Sequence, residues 1–313
     1  MDLKLILAFL SVINCMVVAN NTSDITKLKS DLKLLEAKYS RLEDGMKFSS
    51  PYCEKYVKGA CGPCICKDDF NLPKKYYCDC RNQSPQRDCL AHRQNGMKID
   101  GIYEITMNSY LNTVAFCDQT TLGGGWTVIQ RRMDGSTNFF RSWNEYKVGF
   151  GELHREFWFG NDKIHYLTAQ AILPKGSEAL IQVKFLHTSF KHNTIYNNRY
   201  SHFHIDNEKH AYELHVTGPS GGYGSNYFTN YQNNQKFSTW DRDNDQSSTY
   251  NCAYSYQKAG WWINGDTNSC KTHREYNSIN SPYDAANTQA LHHRIDWHSL
   301  KVSFTAMKVR RLQ

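Results

Sequence analysis

Phe237-Ser238-Thr239-Trp240-Asp241-Arg242-Asp243-Asn244-Asp245, continuing to Asn251-Cys252, Gly260-Trp261-Trp262 and Cys270, is the stretch on which the fold turns. Asp241, Asp243 and Asp245 stand at alternate positions just before a short loop that two cysteines can close. Carboxylates this close repel one another in water, and a bound divalent cation removes the repulsion. A hard cation takes several clustered oxygens from a backbone able to curl round it, so a calcium-binding loop is the first hypothesis and calcium the expected cofactor. The plainer alternative is a solvated acidic turn.

A second long motif, Gly123-Gly124-Gly125-Trp126-Thr127-Val128-Ile129-Gln130-Arg131-Arg132, lies upstream. In this order the two resemble the fibrinogen C-terminal domain of fibrinogen chains, ficolins, tachylectins and angiopoietins. The resemblance runs from about Asp88 to Arg310, through Met133-Asp134-Gly135-Ser136, Phe139, Trp143, Tyr146, Gly149-Phe150-Gly151, Glu156-Phe157-Trp158, Ser299-Leu300-Lys301 and Met307-Lys308. It implies an α+β fold: a disulfide-bonded N-terminal lobe, a central lobe around a twisted antiparallel sheet, and a loop-rich C-terminal lobe holding calcium and ligand.

Carried onto this chain, the resemblance implies that Asp243 and Asp245 bind calcium. The carbonyl of Ser247 and one from Thr249 or its neighbour complete the shell, while Asp241 supports a turn. The simplest local bridges, Cys89 with Cys117 and Cys252 with Cys270, are also the pairs that the resemblance implies. A ligand pocket is implied beside the second bridge, where ficolins and tachylectins hold an acetyl group and where Ser269-Cys270 stands in place of a cis peptide. A methyl group wants a small apolar wall and its carbonyl wants backbone N–H donors. Trp262, Ile263, Tyr276 and Tyr283 are the expected walls. The chain departs from the pattern here: Lys271 follows Cys270 in place of His, the stretch from Gly260 to Cys270 is longer, and Tyr276-Asn277-Ser278-Ile279-Asn280 replaces L-N-G-x-Y-Y.

The preceding segments extend this plan. Lys4 precedes an apolar run from Leu5 to Val18, with Val17 and Ala19 at the small positions that signal peptidase favours, so residues 1–19 are expected to be a secretory leader. No later run is long and apolar enough to span a bilayer. Eleven cysteines less Cys15 leave ten, an even number suited to disulfides in an oxidising compartment. Asn20 and Asn21 head overlapping glycosylation sequons, and Asn82 heads another that Pro85 follows.

Ile25, Leu28, Leu32, Leu35, Tyr39, Leu42 and Met46 recur in steps of three and four among charged residues. This spacing predicts a short coiled coil over 24–47 that makes a homo-oligomer, and the resemblance favours trimers or higher assemblies. Residues 52–87 form a cysteine-dense linker module with Cys53, Cys61, Cys64, Cys66, Cys78 and Cys80, whose fifteen connectivities the sequence leaves open. Cys61-Gly62-Pro63-Cys64 matches a thioredoxin-like tetrapeptide but lacks the flanking strand and helix, and a secreted chain oxidises such thiols before zinc can hold them. A structural knot is the reading that remains. Residues 88–313 make the main domain.

Within it, Ile181, Val183 and Phe185, then Tyr212, Leu214 and Val216, then Val302, Phe304 and Ala306 alternate with polar residues, the period of half-buried strands. Met307 to Val309 lies on the opposite phase, which predicts a bulge or bend between them. Gly218 to Asn234 and Asn277 to Asn287 are expected to be loops.

The net charge of +7 favours anionic glycans or cell surfaces, and no basic run with interleaved aromatics points to nucleic acid. Among thirteen histidines, His202 and His204 share one strand face that would suit zinc, but no H-E-x-x-H or matching carboxylate accompanies them. No G-x-S-x-G elbow or phosphate loop is present, so an enzyme is not expected. The expected function is secreted, calcium-dependent recognition of carbohydrate or acetylated ligands on microbial or host surfaces in innate immunity. The alternative is an angiopoietin-like ligand for a cell-surface receptor.

Overall fold

The computed structural model describes residues 50–108, 111–171, 175–186, 194–264, 270, 278–283, 296–297 and 300–313. The expected leader, stalk and sequons at Asn20 and Asn21 lie outside these residues. Among the described residues no helix is long and apolar enough to cross a membrane.

The cysteine-dense segment folds as a helix, α1 (Pro51–Tyr56), and a hairpin of β1 (Ile65–Asp68) and β2 (Tyr76–Asp79). Its bridges are Cys53–Cys66, Cys61–Cys78 and Cys64–Cys80. All six sulfurs are buried where a longer segment would place Leu or Val, so cross-links stand in for an apolar core. β2 pairs in parallel with β3 (Gly101–Asn108) through Asp79 and Ile102, which makes this hairpin the edge of the main sheet. Close approach is possible because residue 101 is glycine: a Cβ there would lie 2.6 Å from the Cys78 carbonyl oxygen.

Helix α2 (Cys89–Gln94) starts where Asp88 accepts a hydrogen bond from Ala91 N, and the Cys89–Cys117 bridge ties it to β4 (Leu111–Asp118). The main sheet then runs β3, β4, β5 (Trp126–Arg132), β14 (Leu300–Arg311), β8 (Ser177–Phe185), β9 (Tyr196–Ile205), β10 (Leu214–Ser220), with every neighbour antiparallel. β14 is the last strand in sequence but lies in the middle. The pairing register of β14 with β5 shifts between Met307 and Lys308, the bulge that the phase change predicts.

Two expectations need correcting. β8 is buried on both faces and is not a half-buried strand, because the sheet is covered on each side at its centre. The stretch 218–234 is not all loop: it contains helix α5 (Ser225–Gln232). Its sequence has weak helix propensity and no side-chain cap, but Phe228 and Gln232 are one turn apart and fully buried, so packing supplies what propensity does not.

The core of the central lobe is aromatic. Trp126, Trp158, Trp261, Trp262 and Trp297 are almost completely buried, and Tyr146, Trp158, Phe237 and Trp262 meet edge to face or tilted within 5.9 Å. Their indole N–H groups donate to Thr121 O, Asn161 Oδ1, Tyr212 O and Tyr223 O for Trp126, Trp158, Trp262 and Trp297. Trp261 Nε1 has no partner among the described residues.

Candidate calcium loop and its neighbours

The acidic stretch leaves a two-stranded sheet made of β11 (Phe237–Ser238) and β12 (Trp261–Trp262), in which Phe237 faces Trp262. The strand fixes one end of the loop. Side chains then fold it back: Asn244 donates to Phe237 O at 2.8 Å, and Asn251 donates to Thr239 O at 3.0 Å. Each short polar residue here binds a nearby backbone group, which is how Asn, Ser and Asp build turns.

Asp241 turns away from its acidic neighbours. Its Oδ1 accepts from Trp143 N at 2.8 Å, at the start of helix α3 (Trp143–Val148), and from Thr239 Oγ1 at 2.7 Å. Arg242 stacks over the Trp143 ring at 3.9 Å. The first carboxylate therefore anchors the loop to the central lobe.

Asp243 is exposed and Asp245 half-buried beside it. Asp243 Oδ1 accepts from Asp245 N at 3.2 Å, Asp245 Oδ1 accepts from Ser247 N at 2.8 Å, and Asp245 Oδ2 accepts from Cys252 N at 2.9 Å. Burial, and then the charge of Asp243, push the Asp245 carboxyl up to about 6 against the two N–H donors. The chemistry is that of a position short of one positive charge. The Ser247 hydroxyl accepts from Thr249 N and Tyr250 N, which curls the backbone, and among the described residues the carbonyls of Ser247 and Thr249 accept no hydrogen bond. Two carboxylates with two free carbonyls on a curled loop fit a hard cation, and a bound calcium would supply the missing charge.

The same carboxylate touches the second bridge. Cys252 is bonded to Cys270, and both sulfurs lie within 4.8 Å of an Asp245 oxygen, although disulfide sulfur is no ligand for calcium. The loop expected to carry the pocket thus starts from the acidic loop itself. Trp262 and Ile263 are 0% and 2% exposed. Both are core residues and do not line an open wall, and Trp262 packs against Trp158, Phe203 and Phe237. Tyr283 is half-buried and its hydroxyl donates to Ser303 O at 2.9 Å. Ser269 and Tyr276 lie outside the described residues. Asn82 is exposed, with its amide donating to Pro63 O at 2.9 Å.

Four residues that the sequence offered only as members of its motifs, with no role assigned, tie these segments together. Arg132 donates to Asn280 O and Ser281 O at 2.9 and 2.8 Å, and Gln130 donates to Ile279 O at 3.0 Å. Asn280 in turn donates to Gly260 O, just before β12. Buried Glu156 faces Arg132 and accepts from the backbone N–H groups of Met133, Asp134, Gly135 and Thr137. The sequence showed them only as members of its motifs, with Gln130-Arg131-Arg132 a polar run at the end of an apolar strand.

A family model described as the C-terminal globular domain of fibrinogen beta and gamma chains matches residues 85–312. The chain belongs to that family. Fibroleukin of Bos taurus is 37% identical over 201 residues, 62% of this chain and 43% of the relative. Ryncolin-4 of Cerberus rynchops is 40% identical over 176 residues, 56% of this chain and 48% of the relative. The solved fibrinogen-like globe domain of human ANGPTL2 is 32% identical with a TM-score of 0.61, covering 72% of this chain and 99% of that one. The match therefore spans less than half the length of these two curated relatives. The residues matched by the family model contain the acidic loop and the bridge Cys252–Cys270.

Proposed function

We propose that the protein is a secreted, oligomeric, calcium-dependent recognition protein that binds carbohydrate or acetylated ligands on microbial or host surfaces. The observation that carries this reading is the hydrogen bond from Cys252 N to Asp245, which couples the acidic loop to the loop closed by the second bridge. Calcium between Asp243 and Asp245, with the Ser247 and Thr249 carbonyls, would hold both loops in one shape. Beside them Trp240 and Tyr254 are exposed, with Phe140 between them and Lys258 above the Tyr254 ring at 4.6 Å. Such rings offer broad contact area with a polar rim, suited to sugar faces or protein surfaces. No catalytic step is part of this reading.

Ten paired cysteines in 50–313 support secretion, since such bridges persist in oxidising compartments. Several weak heads joined by one stalk gain avidity without a new contact. Likeness to the ANGPTL2 globe domain favours a second reading, a ligand for a cell-surface receptor protein. Burial of Trp262 and Ile263 leans the same way, because it leaves less of an acetyl pocket. A glycan array probed with the full chain, with and without a calcium chelator, separates the two. Calcium-sensitive binding to simple sugars is the expected result, and a blank array under both conditions would favour the receptor ligand.

A further inference from the structure

The far edge of the main sheet carries a second set of metal-ligating side chains. β9 and β10 pair so that His204 stands directly opposite His215, and the two imidazoles stack with centroids 4.4 Å apart and planes 18° apart. Asp206, one residue beyond β9, turns back so that its Oδ2 lies 3.1 Å from His215 Nε2. Ligand atoms of all three residues lie within 4.8 Å of one another, and each side chain is half-buried.

The strand pattern explains how they meet. Phe203 and Ile205 on β9, and Leu214 and Val216 on β10, are buried in the core. With a period of two, the residues between them must face the other way, and antiparallel register brings them together. His202, also on this strand, instead bonds through Nδ1 to Ser201 Oγ at 3.0 Å. Packing does not require the His204–His215 pair: two imidazoles opposed across a ladder repel whenever both are protonated, and a Thr or aliphatic pair would pack there without that cost.

We propose that His204, His215 and Asp206 bind a divalent transition metal, zinc above all, at a site separate from the calcium loop. Two imidazole nitrogens and one carboxylate oxygen suit zinc, whereas calcium takes oxygen ligands. Tetrahedral zinc at about 2.0–2.1 Å from each donor needs ligand atoms roughly 3.4 Å apart; His215 Nε2 and Asp206 Oδ2 are already 3.1 Å apart, and a His204 nitrogen lies within 4.8 Å of the other two ligands. A pocket of about 410 Å³, lined in part by Lys175, Ser177, His202 and Thr217, opens beside both imidazoles. Three protein ligands leave a fourth position for water or for an acidic or imidazole side chain of a binding partner.

The test is a titration of zinc into the full, disulfide-bonded chain in calcium buffer, followed by heat and by competition with a chromogenic zinc chelator. The wild type should show one saturable equivalent that His204→Gln, His215→Gln and Asp206→Asn each weaken at least about tenfold, while Asp243→Ala leaves it unchanged. Cobalt in place of zinc should give the strong visible bands of a four-coordinate site, and these should vanish in the same variants. The three variants come from two strands and a turn, so loss of fold in one, seen by near-UV dichroism, leaves two to decide. Absence of a saturable equivalent in the wild type, or equal affinity in the wild type and the folded variants, overturns the proposal.

Discussion

Lys308 and Asp118 show how the sheet tolerates charge in its interior. Lys308 donates to Asp118 Oδ2 and Gln182 Oε1 while only 4% exposed, and Thr121 N donates to Asp118 at 2.8 Å. Burial by itself would raise the Asp118 carboxyl, but the Lys308 charge and these hydrogen bonds outweigh it and hold it at about 2, below its ordinary 3.8. Burial draws Lys308 below its ordinary value, and its contact with Asp118 opposes that fall. A carboxyl lowered on folding adds stability that is complete above about pH 5 and fades as pH falls through 4 towards 2, about 2 kcal/mol in total. The double variant Asp118→Asn/Lys308→Met should lack that part of the acid loss in urea unfolding at pH 7 and pH 3; an unchanged difference between the two pH values would contradict it. Asp243 and Asp245 could be picked out of the sequence as a candidate pair because they stand two residues apart. The Arg132–Glu156 pair and the Asp118–Lys308 pair were not, since their partners are distant in the chain and only the fold makes them neighbours.

The turn into β5 depends on backbone freedom at Gly124. Its φ of 72° and ψ of −167° lie in a region that only glycine adopts readily, and a Cβ would stand 2.2 Å from the Gln119 carbonyl oxygen. Gly124→Ala should cost about 1–3 kcal/mol from conformation alone, with more from the clash, read as a lower urea midpoint; a midpoint equal to the wild type would show that the turn relaxes freely. The Gly-rich motif made this strand legible, and the phase change in β14 revealed its bulge. Helix α5 was hidden because Ser225 to Gln232 carries no strong helix former before its last residue and only Phe228 and Gln232 reach the core. The approach of His215 to His204 was equally hidden, because strand register is a property of pairing and not of either strand alone.

At the scale of the whole molecule, the proposed stalk over 24–47 precedes a head with its own core. Replacing Leu32 and Leu35 by lysine should turn the assembly into monomers under reducing conditions, as read by sedimentation mass, because three heptads hold weakly and two lost seam residues remove much of that hold. An unchanged mass would remove the stalk from the account. Fold and family were readable along most of the chain, since long motifs in fixed order survive loop changes. The ligand was not, because the segment after Cys270 departs from the family's pattern at Lys271 and at Tyr276 to Asn280. The most direct test is calorimetric titration of calcium into the chelator-treated, fully oxidised chain. One binding event per chain that Asp243→Ala/Asp245→Ala abolishes is the predicted result, and a flat trace for the wild type would contradict the account.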